Sequence, residues 1–249
     1  MAFASAVVVS NSVVLVTGST SGIGEATALH FASTGAHVVF NSVHSVEAGE
    51  RLAAATPDSL YIQADISNDD DCRRLVAETL EHFGRLDVLI NNAGVTRVID
   101  HHDVGAATVE VWREIFEVNV FGTWRLTVAA LDALRASRGS IVNVTSVAGL
   151  RATGSSIPYA ASKAALNHLT PLLAKVVGPE VRVNAVAPGL VDTPWTADWE
   201  ASRTFVSTHA PLRRSGQPQD VAEIIVALAT SNYVTGQVVV VDGGLTIAT

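Results

Sequence analysis

Seven short apolar runs, rich in β-branched residues, alternate along the chain with longer segments whose apolar residues follow a helical spacing. The runs predict strands near residues 13–17, 37–41, 60–64, 87–91, 140–144, 181–187 and 237–241. The longer segments predict helices over about 22–34, 45–55, 69–83, 108–136, 158–177 and 218–230. Because the strands are continuously apolar rather than alternating, they are typical of a parallel sheet covered on both faces.

This alternation predicts an α/β fold, namely a doubly wound, Rossmann-type parallel sheet of seven strands with helices on both faces. We find no internal repeat or linker, so we expect residues 1–249 to form a single domain with a short N-terminal tail at residues 1–12. The least regular stretch runs from about 190 to 216. A loop of this length in a compact domain is typically a lid or a binding segment.

Two of the predicted helices have unusual features. Pro171 lies inside the helix at 158–177, where proline removes the hydrogen bond to the carbonyl of residue 167 at a cost of ~3 kcal/mol. We therefore expect a kink or a local widening there. The helix at 218–230 is apolar almost all round between Val221 and Ala229, which indicates burial on more than one side.

Composition mainly excludes other classes of protein. The net charge is −8, with 16 Lys plus Arg against 24 Asp plus Glu, so the chain lacks the basic face that nucleic acid requires. The single cysteine, Cys72, permits no internal disulfide, as is typical of a reducing cytosol. We find neither an apolar stretch of roughly 18 residues nor a cationic signal-peptide start. We expect a cytoplasmic protein that binds neither nucleic acid nor membranes.

The candidate chemistry starts with Tyr159 and Lys163, which lie four residues apart in a predicted helix. Four residues is about one helical turn, so both side chains leave the same face. An ammonium near a phenol favours the phenolate and lowers the pKa of the phenol from about 10. The pair predicts a proton donor, and a solvated helical face is the alternative interpretation of the pair taken alone.

A second motif lies between the first strand and the first helix, where glycines occupy positions 18, 22 and 24. Such a turn brings bare backbone close to a diphosphate and points the free N–H groups of the helix start at it. The spacing Gly-x-x-x-Gly-x-Gly differs from the commoner Gly-x-Gly-x-x-Gly fingerprint. The turn alone is therefore weak support for nucleotide binding.

Further motifs accompany these two in order: Asn91-Asn92-Ala93-Gly94, Asn119, Ser146 thirteen residues before the tyrosine, and Pro188-Gly189 followed by Val191 and Thr193. Over nearly its whole length the chain resembles the short-chain dehydrogenase/reductase family. The resemblance implies an oxidoreductase that transfers hydride between a nicotinamide cofactor and a carbonyl or secondary alcohol.

Hydride transfer to a carbonyl needs a proton donor and a group that holds the carbonyl oxygen. Tyr159 fits the first role and Ser146 the second. With Lys163 and the positive nicotinamide of an oxidised cofactor nearby, we expect the Tyr159 pKa to fall from about 10 to near 7. By resemblance only, Lys163 also bonds the nicotinamide ribose, and Asn119 holds a water in a proton relay.

The resemblance places the cofactor along one edge of the sheet. The residues that match the family's cofactor site are Gly18, Ser19, Thr20, Ser21, Gly22, Ile23, Gly24, Asn41, Ser42, His44, Asp65, Ile66, Asn92, Ala93, Gly94, Tyr159, Lys163, Pro188, Gly189, Val191 and Thr193. Asp65 matches the residue that contacts adenine, and its alternative role is to cap the helix that begins near Asn68.

The choice between NAD(H) and NADP(H) depends on the end of the second strand. A carboxylate there accepts the ribose 2′-OH of NAD(H) and repels the 2′-phosphate of NADP(H). The run from Asn41 to Ser45 contains no acid, and its polar side chains suit a phosphate. Against this, Ser21 stands where phosphate-binding members often have a basic residue, and Glu47 is close. We favour NADP(H), with NAD(H) as the alternative.

Apolar side chains near the motifs predict a pocket for a small-molecule ketone, although any of them fits the core equally well. They are Leu150, Ile157, Trp195, Trp199 and Phe205, with Ser146 at the reacting carbonyl. A 3-oxoacyl thioester on acyl carrier protein is the alternative substrate. That partner needs a basic docking patch, for which the candidates are Arg97, Arg125, Arg135, Arg138 and Arg151.

Three further expectations concern role, metal and assembly. A nucleotide-binding regulatory or scaffold homologue is the non-enzyme alternative, but such proteins commonly lose a catalytic side chain, and none is missing here. His101, His102 and Asp103 are neighbours whose side chains diverge, and no His-Glu-x-x-His accompanies them, so we expect no metal site. The apolar late helix and the habit of the family indicate a homotetramer, in which the helix carrying Tyr159 builds a subunit interface.

Overall fold

The computed structural model describes residues 10–248, so most of the tail predicted at residues 1–12 lies outside the described part of the chain. Seven strands form one fully parallel sheet in the order β3-β2-β1-β4-β5-β6-β7. The strands are β1 Val13–Val16, β2 His37–Ser42, β3 Ser59–Gln63, β4 Val88–Asn91, β5 Ser140–Val144, β6 Arg182–Pro188 and β7 Val238–Val241. Each predicted strand is confirmed within one or two residues.

The helices cover both faces of this sheet. They are α1 Gly22–Ser33, α2 Val46–Ala55, α3 Asp69–Phe83, α4 Val109–Phe116, α5 Thr123–Ser137, α6 Ile157–Val177, α7 Glu200–His209, α8 Pro218–Thr230 and α9 Leu245–Ala248. One apolar cluster lies between the sheet and α3, α5 and α6, and a second lies between the sheet and α1 and α8. The predicted doubly wound fold is confirmed.

The strand order reverses between β1 and β4, whose carboxyl ends meet at one edge of the sheet. Open parallel sheets bind ligands in the crevice outside such a reversal. The glycine turn follows β1, the Asn-Asn-Ala-Gly motif closes β4, and Ser146 comes two residues after β5. The topology therefore brings motifs that are distant in sequence to one place.

The single helix predicted over 108–136 was wrong in detail, because a π-helical segment, Glu117–Gly122, separates α4 from α5. Gly122 lies against Ile66 so closely that a Cβ on the glycine would be 3.0 Å from the Ile66 carbonyl oxygen. Asn119, a predicted catalytic residue, lies within this wider turn. Such π segments occur frequently at functional sites.

The widening expected at Pro171 is absent, since α6 remains α-helical from Ile157 to Val177. Thr170, Leu173 and Ala174 are buried on either side of the proline. Their packing on the sheet holds the helical path across the missing hydrogen bond. Local propensity is here overridden by tertiary contacts.

Helix α8 is buried on more than one side, as its composition predicts. Val221, Ile225 and Ala229 are buried, and the helix packs on both α1 and the sheet. Because this burial lies within one chain, the composition of α8 is explained without a subunit contact. Within residues 10–248, no helix is both long enough and apolar enough to cross a bilayer.

The stretch at 190–216 is not a structureless loop. It contains a short 3₁₀ turn, Pro194–Thr196, followed by the ten-residue helix α7. Arg203 of α7 donates to Asp192 Oδ1 at 2.9 Å and to the Ala197 carbonyl at 3.0 Å. Sequence reasoning missed α7 because its apolar positions are few. We call residues 192–209 the substrate segment.

Candidate active site

The glycine turn has a backbone that only glycine adopts comfortably. Gly18 and Gly22 have φ values of +60° and +57°, in the left-handed region that other residues rarely enter. A Cβ on Gly24 would lie 2.4 Å from the Gly18 carbonyl oxygen and 2.5 Å from Asn92 Nδ2. The three glycines therefore form a tight cradle at the start of α1, which suits a diphosphate.

The end of β4 braces this cradle. Asn92 Nδ2 donates to the carbonyls of Thr17 at 2.8 Å and Gly18 at 2.9 Å. In return, Thr17 Oγ1 accepts from the backbone N–H groups of Asn92 and Ala93, both at 3.0 Å. The neighbouring Asn91 instead donates to Asn143 Oδ1 at 2.9 Å and ties β4 to β5. The motif after β4 thus positions the glycine turn as well as lining the site.

A cavity of about 1210 Å³ runs along the carboxyl edge of the sheet. Of the predicted cofactor, catalytic and substrate residues, all but four line it. The lining residues are Gly18, Thr20, Ser21, Gly22, Ile23, Gly24, Asn41, Ser42, His44, Asp65, Ile66, Asn92, Ala93, Gly94, Ser146, Tyr159, Lys163, Pro188, Gly189, Val191, Thr193, Trp195 and Trp199. The four that lie outside the lining are Ser19, Asn119, Leu150 and Ile157.

Ser19 and Asn41 support the cradle from behind. Asn41 Nδ2 donates to the carbonyls of Ile62 and Ala64, both at 3.1 Å, and the Asn41 backbone N–H donates to Ser19 Oγ at 2.9 Å. Both amide hydrogens of the Asn41 side chain are therefore used within the sheet. This corrects the expectation that the Asn41 side chain offers them to a phosphate.

Asp65 does not cap α3, which was its alternative role. Asn68 caps α3, accepting from the N–H groups of Asp70 and Asp71. Asp65 closes the preceding turn instead, since its Oδ1 accepts from the Ser67 backbone N–H at 2.9 Å and from the Ser67 hydroxyl at 2.7 Å. The carboxylate remains at the cavity wall.

Tyr159 and Ser146 meet at the floor of the cavity. Ser146 precedes a short 3₁₀ turn, and its Oγ accepts from the Ala148 N–H at 3.1 Å. Burial raises the pKa of Tyr159 to about 12, and the hydrogen bond with the Ser146 side chain opposes that rise. The fall of the Tyr159 pKa toward 7, which we expect with Lys163 and the positive nicotinamide of an oxidised cofactor beside the ring, stays a prediction. The phenol is held protonated, as a proton donor requires.

Lys163 lies beneath the tyrosine, with its Nζ 5.7 Å from the centre of the Tyr159 ring. Its Nζ donates to the Val144 carbonyl at 3.0 Å, which ties α6 to the end of β5. The side chain is 4% exposed, and burial lowers the pKa of Lys163 to about 8. The ammonium is thus the predominant form at neutral pH, although burial destabilises it relative to the neutral amine.

The Asn119 side chain forms hydrogen bonds with the backbone of Val95 and with the Ser162 hydroxyl. Its Oδ1 accepts from the Val95 N–H at 2.8 Å, and its Nδ2 donates to the Val95 carbonyl and to Ser162 Oγ, both at 3.0 Å. Ser162 Oγ in turn donates to the Tyr159 carbonyl at 2.7 Å. The side chain therefore fixes the segment after Gly94 against the catalytic helix. The water-holding role that the resemblance implies stays a prediction.

One wall of the cavity beyond Tyr159 is aromatic. The Trp195 ring meets the Tyr159 ring edge-on, with 6.3 Å between centroids. Trp199 and Phe205 extend this wall along the substrate segment. Sequence reasoning missed Val98, Ile99 and Leu245, which also line the cavity. They come from distant segments, and no local motif marks them.

Two predicted pocket residues are corrected. Leu150 and Ile157 do not line the cavity, and they are 39% and 37% exposed. Leu150 ends the 3₁₀ turn that follows Ser146, and Ile157 starts α6. Proximity in sequence to Ser146 and Tyr159 was therefore a poor guide to which side chains line the cavity. Within residues 10–248, no group of three or more His, Cys, Asp or Glu side chains is placed to hold a metal ion.

The residues present fit a nicotinamide dinucleotide. The glycine cradle leaves room for a diphosphate at one end, and the Tyr159–Ser146 pair lies at the other. Between them, a Cβ on Gly94 would lie 3.2 Å from Asn119 Oδ1 and 3.5 Å from Lys163 Nζ, so this glycine keeps the passage open.

Comparisons with known proteins agree with this geometry. A family model described as enoyl-(acyl carrier protein) reductase matches residues 18–246. The chain is 57% identical, over 93% of its length and 95% of the relative's, to a protein of Streptomyces violaceoruber named as ketoacyl reductase 2 of the granaticin polyketide synthase. It is 38% identical, over 94% of its length and 98% of the relative's, to a 3-oxoacyl-(acyl-carrier-protein) reductase of Thermotoga maritima.

Solved structures show the same fold. A short-chain dehydrogenase/reductase of Burkholderia xenovorans superposes with a TM-score of 0.88 at 39% identity, covering 96% of this chain and 99% of that one. The ligand-free aldohexose dehydrogenase of Thermoplasma acidophilum also gives 0.88, at 30% identity and 98% coverage of both chains. With its sheet order, glycine cradle and Ser146–Tyr159–Lys163 site, this chain belongs to the short-chain dehydrogenase/reductase family of oxidoreductases, which act on CH–OH and C=O groups with a nicotinamide cofactor.

Proposed function

We propose that this oxidoreductase uses NADPH to reduce the carbonyl of an apolar ketone to a secondary alcohol. The observation that carries the proposal is the combination of a protonated Tyr159 beside Ser146 with an aromatic wall built by Trp195, Trp199 and Phe205. Large ligand pockets of this kind are mostly apolar, with a few polar groups that fix orientation.

Each catalytic side chain has a separate task in this proposal. The nicotinamide supplies the hydride when bound. Ser146 Oγ donates to the substrate carbonyl oxygen and holds it beside the tyrosine, and the Tyr159 hydroxyl gives that oxygen its proton. Lys163 stabilises the phenolate that remains, because its ammonium lies below the ring.

The preference for NADP(H) is supported by the end of β2. No acid follows the strand between Asn41 and Ser45, and Ser42 Oγ is held by the Tyr61 hydroxyl at 2.8 Å. His44 and Ser45 are exposed beside the cavity, just before α2 begins. A carboxylate that would repel a 2′-phosphate is thus missing from the position where it usually stands.

Reduction of a 3-oxoacyl thioester is the second candidate, favoured by the names of the relatives. The positions of the candidate docking arginines do not favour an acyl carrier protein. Arg135 and Arg138 close α5 just before β5 begins, at the edge of the sheet opposite the cavity. Arg97 is paired with Glu114 at 2.8 Å and Arg125 with Glu117 at 2.6 Å. Arg151 donates to backbone carbonyls.

The test is a spectrophotometric panel at a fixed concentration of NADPH and then of NADH. Bicyclic ketones such as 1-decalone represent the lead proposal, and acetoacetyl N-acetylcysteamine represents the thioester. We expect a higher kcat/KM for the bicyclic ketones, with NADPH as the better reductant. Faster turnover of the thioester would favour the second candidate, and activity with NADH alone would overturn the cofactor assignment.

We further propose a homotetramer that works in the cytoplasm. An exposed apolar band on α6, α5 and the π segment before α5 supports assembly. Its members are Phe121, Trp124, Val128, Leu172 and Val176. The buried free thiol of Cys72 agrees with a reducing compartment.

A further inference from the structure

A small crevice adjoins the main cavity at the glycine turn. We call this side of the cavity the adenosine end, because the proposed NADP(H) would place its adenosine there. It has a volume of about 280 Å³ and is lined by Thr20, Glu25, Ala48, Arg51 and Leu52. Thr20, in the glycine turn, lines both the crevice and the main cavity. The crevice therefore opens beside the glycine turn, next to the cradle proposed for the diphosphate.

Arg51 is the one arginine that lines either of these two cavities within residues 10–248. The other strong cation at the cavity, Lys163, is held by the Val144 carbonyl at the far end. The run from Asn41 to Ser45 contributes neither lysine nor arginine. Among the described residues that line the two cavities, Arg51 is thus the permanent cation on the side of the glycine turn.

Arg51 points in the direction that such a contact needs. Side chains on a helix lean toward its N-terminus, and α2 begins directly after the His44-Ser45 turn. Arg51 Nη1 indeed lies 3.8 Å from Glu47 Oε2, one turn closer to that N-terminus. The guanidinium is therefore aimed back toward the turn that follows β2.

The pairing with Glu47 leaves Arg51 available. The two side chains are 72% and 92% exposed, and such solvent-exposed pairs contribute little. A phosphate offers a doubly charged, bidentate partner that a guanidinium binds more strongly. Glu47 and Glu25, which lines the same crevice, also place negative charge near this point, so both carboxylates oppose a bound phosphate.

We propose that Arg51 breaks its pair with Glu47 and recognises the adenosine 2′-phosphate of NADP(H). The carboxylate of Glu47 weakens this recognition. The assignment rests on the proposed use of NADP(H). It places the specificity-determining cation on the second turn of α2, away from the end of β2 and from Ser21, where sequence reasoning looked for one.

Calorimetric titration of the full-length protein with 2′,5′-ADP and with 5′-AMP tests the proposal without catalysis. We expect Arg51→Gln to weaken 2′,5′-ADP binding by about tenfold while 5′-AMP changes less than about twofold. Arg51→Lys should fall between, because it keeps the charge but loses the bidentate geometry. Glu47→Gln should tighten 2′,5′-ADP binding by about two- to fivefold.

Arg113→Gln is the matched control. Arg113 is also an exposed helical arginine with a loose acidic neighbour, Glu110 at 3.9 Å, and it does not line the cavity. The affinity of the Arg113→Gln variant for both ligands should equal that of the parent protein. Thermal unfolding of each variant checks that the fold is retained.

The outcomes separate the two proposals. If the parent protein prefers 2′,5′-ADP and Arg51→Gln keeps that preference, the Arg51 assignment is wrong while NADP(H) use stands. Equal losses for both ligands in Arg51→Gln also contradict recognition of the 2′-phosphate. If the parent binds 5′-AMP at least as tightly as 2′,5′-ADP, the cofactor preference and the Arg51 assignment both fall.

Discussion

Tyr159 and Lys163 respond in opposite directions to the same burial. Loss of water disfavours the charged form of each group, so the pKa of the phenol rises to about 12 and the pKa of the ammonium falls to about 8. The pair is therefore set with the phenol neutral and the amine close to releasing its proton. The lysine's benefit to catalysis must come as the phenolate forms, since the resting phenol is not acidified.

Replacing Tyr159 by Phe removes the proposed acid and little else. We expect kcat for ketone reduction to fall by about 10²- to 10⁴-fold, with the Kd for NADPH changed less than about twofold. Steady-state kinetics and fluorescence titration measure the two quantities. Tyr233→Phe is the control, because Tyr233 is 97% exposed and outside the cavity. Retention of most activity in Tyr159→Phe would show that another group donates the proton.

The lowered pKa of Lys163 predicts a pH-dependent stability. Between its folded value of about 8 and its ordinary value of 10.5, the unfolded chain binds more protons than the folded chain. The free energy of unfolding therefore rises with pH across this window, by about 3 kcal/mol in total. Tyr159 acts in the opposite direction, but only above its ordinary pKa of 10.0.

Denaturant unfolding at pH 7.5 and pH 9.5 checks this prediction. We expect the parent protein to gain stability relative to Lys163→Met, which lacks the buried amine. Lys175→Met is a close control, because Lys175 is exposed on the same helix and is the only other lysine. A parent and a Lys163→Met variant with parallel pH dependence would contradict the buried, destabilised ammonium.

At the scale of elements, the substrate segment is held as one piece by Arg203. Its guanidinium bonds the Asp192 carboxylate and the carbonyls of Thr196 and Ala197. Asp192 Oδ2 in turn accepts from Gln217 Nε2 at 3.0 Å, just before α8. These bonds connect α7 to the 3₁₀ turn that presents Trp195 beside Tyr159. The shape of the substrate end thus depends on a side chain that does not line the cavity.

Arg203→Gln should loosen this segment while leaving the catalytic groups in place. Charge-assisted hydrogen bonds contribute about 1.5–3 kcal/mol, so we expect chymotryptic cleavage at Trp195, Trp199 and Phe205 to accelerate by about tenfold. KM for a bulky ketone should rise more than kcat falls. Arg135→Gln, which breaks only an exposed pair with Asp132, is the control. Unchanged proteolysis of Arg203→Gln would argue that the segment is held by its apolar contacts instead.

At the scale of the whole molecule, one feature that the single chain leaves uncovered is the apolar band on α6, α5 and the π segment before α5. Phe121, Trp124 and Val128 form one stripe, spaced by three and four residues, and Leu172 and Val176 form a second. Thr127 and Thr170, on the same two helices, face inward and bond Asn91 and Asn143. Exposed apolar patches of this kind mark interaction sites.

Charge introduced into this band should break the proposed assembly. Light scattering of the parent protein should give four times the 26.0 kDa of one chain. We expect the double variant Val128→Glu, Val176→Glu to weaken association by at least about 100-fold, because burying carboxylates without partners is costly. Val104→Glu is the control, since Val104 is 67% exposed and lies outside the band. A monomeric parent protein would refute the assembly.

The sequence alone determined the strands, most of the helices and the glycine turn, because these depend on local periodicity and turn chemistry. The Tyr159–Lys163 pair was predicted from its spacing, and Ser146 was added to it through the family resemblance. Tertiary structure decided the rest through contacts between distant segments. It kept α6 α-helical across Pro171, folded α7 within the predicted loop, and left Leu150 and Ile157 outside the cavity lining. It also set the burial that raises the Tyr159 pKa in the chain itself, since desolvation depends on the surrounding fold and no spacing along the chain encodes it.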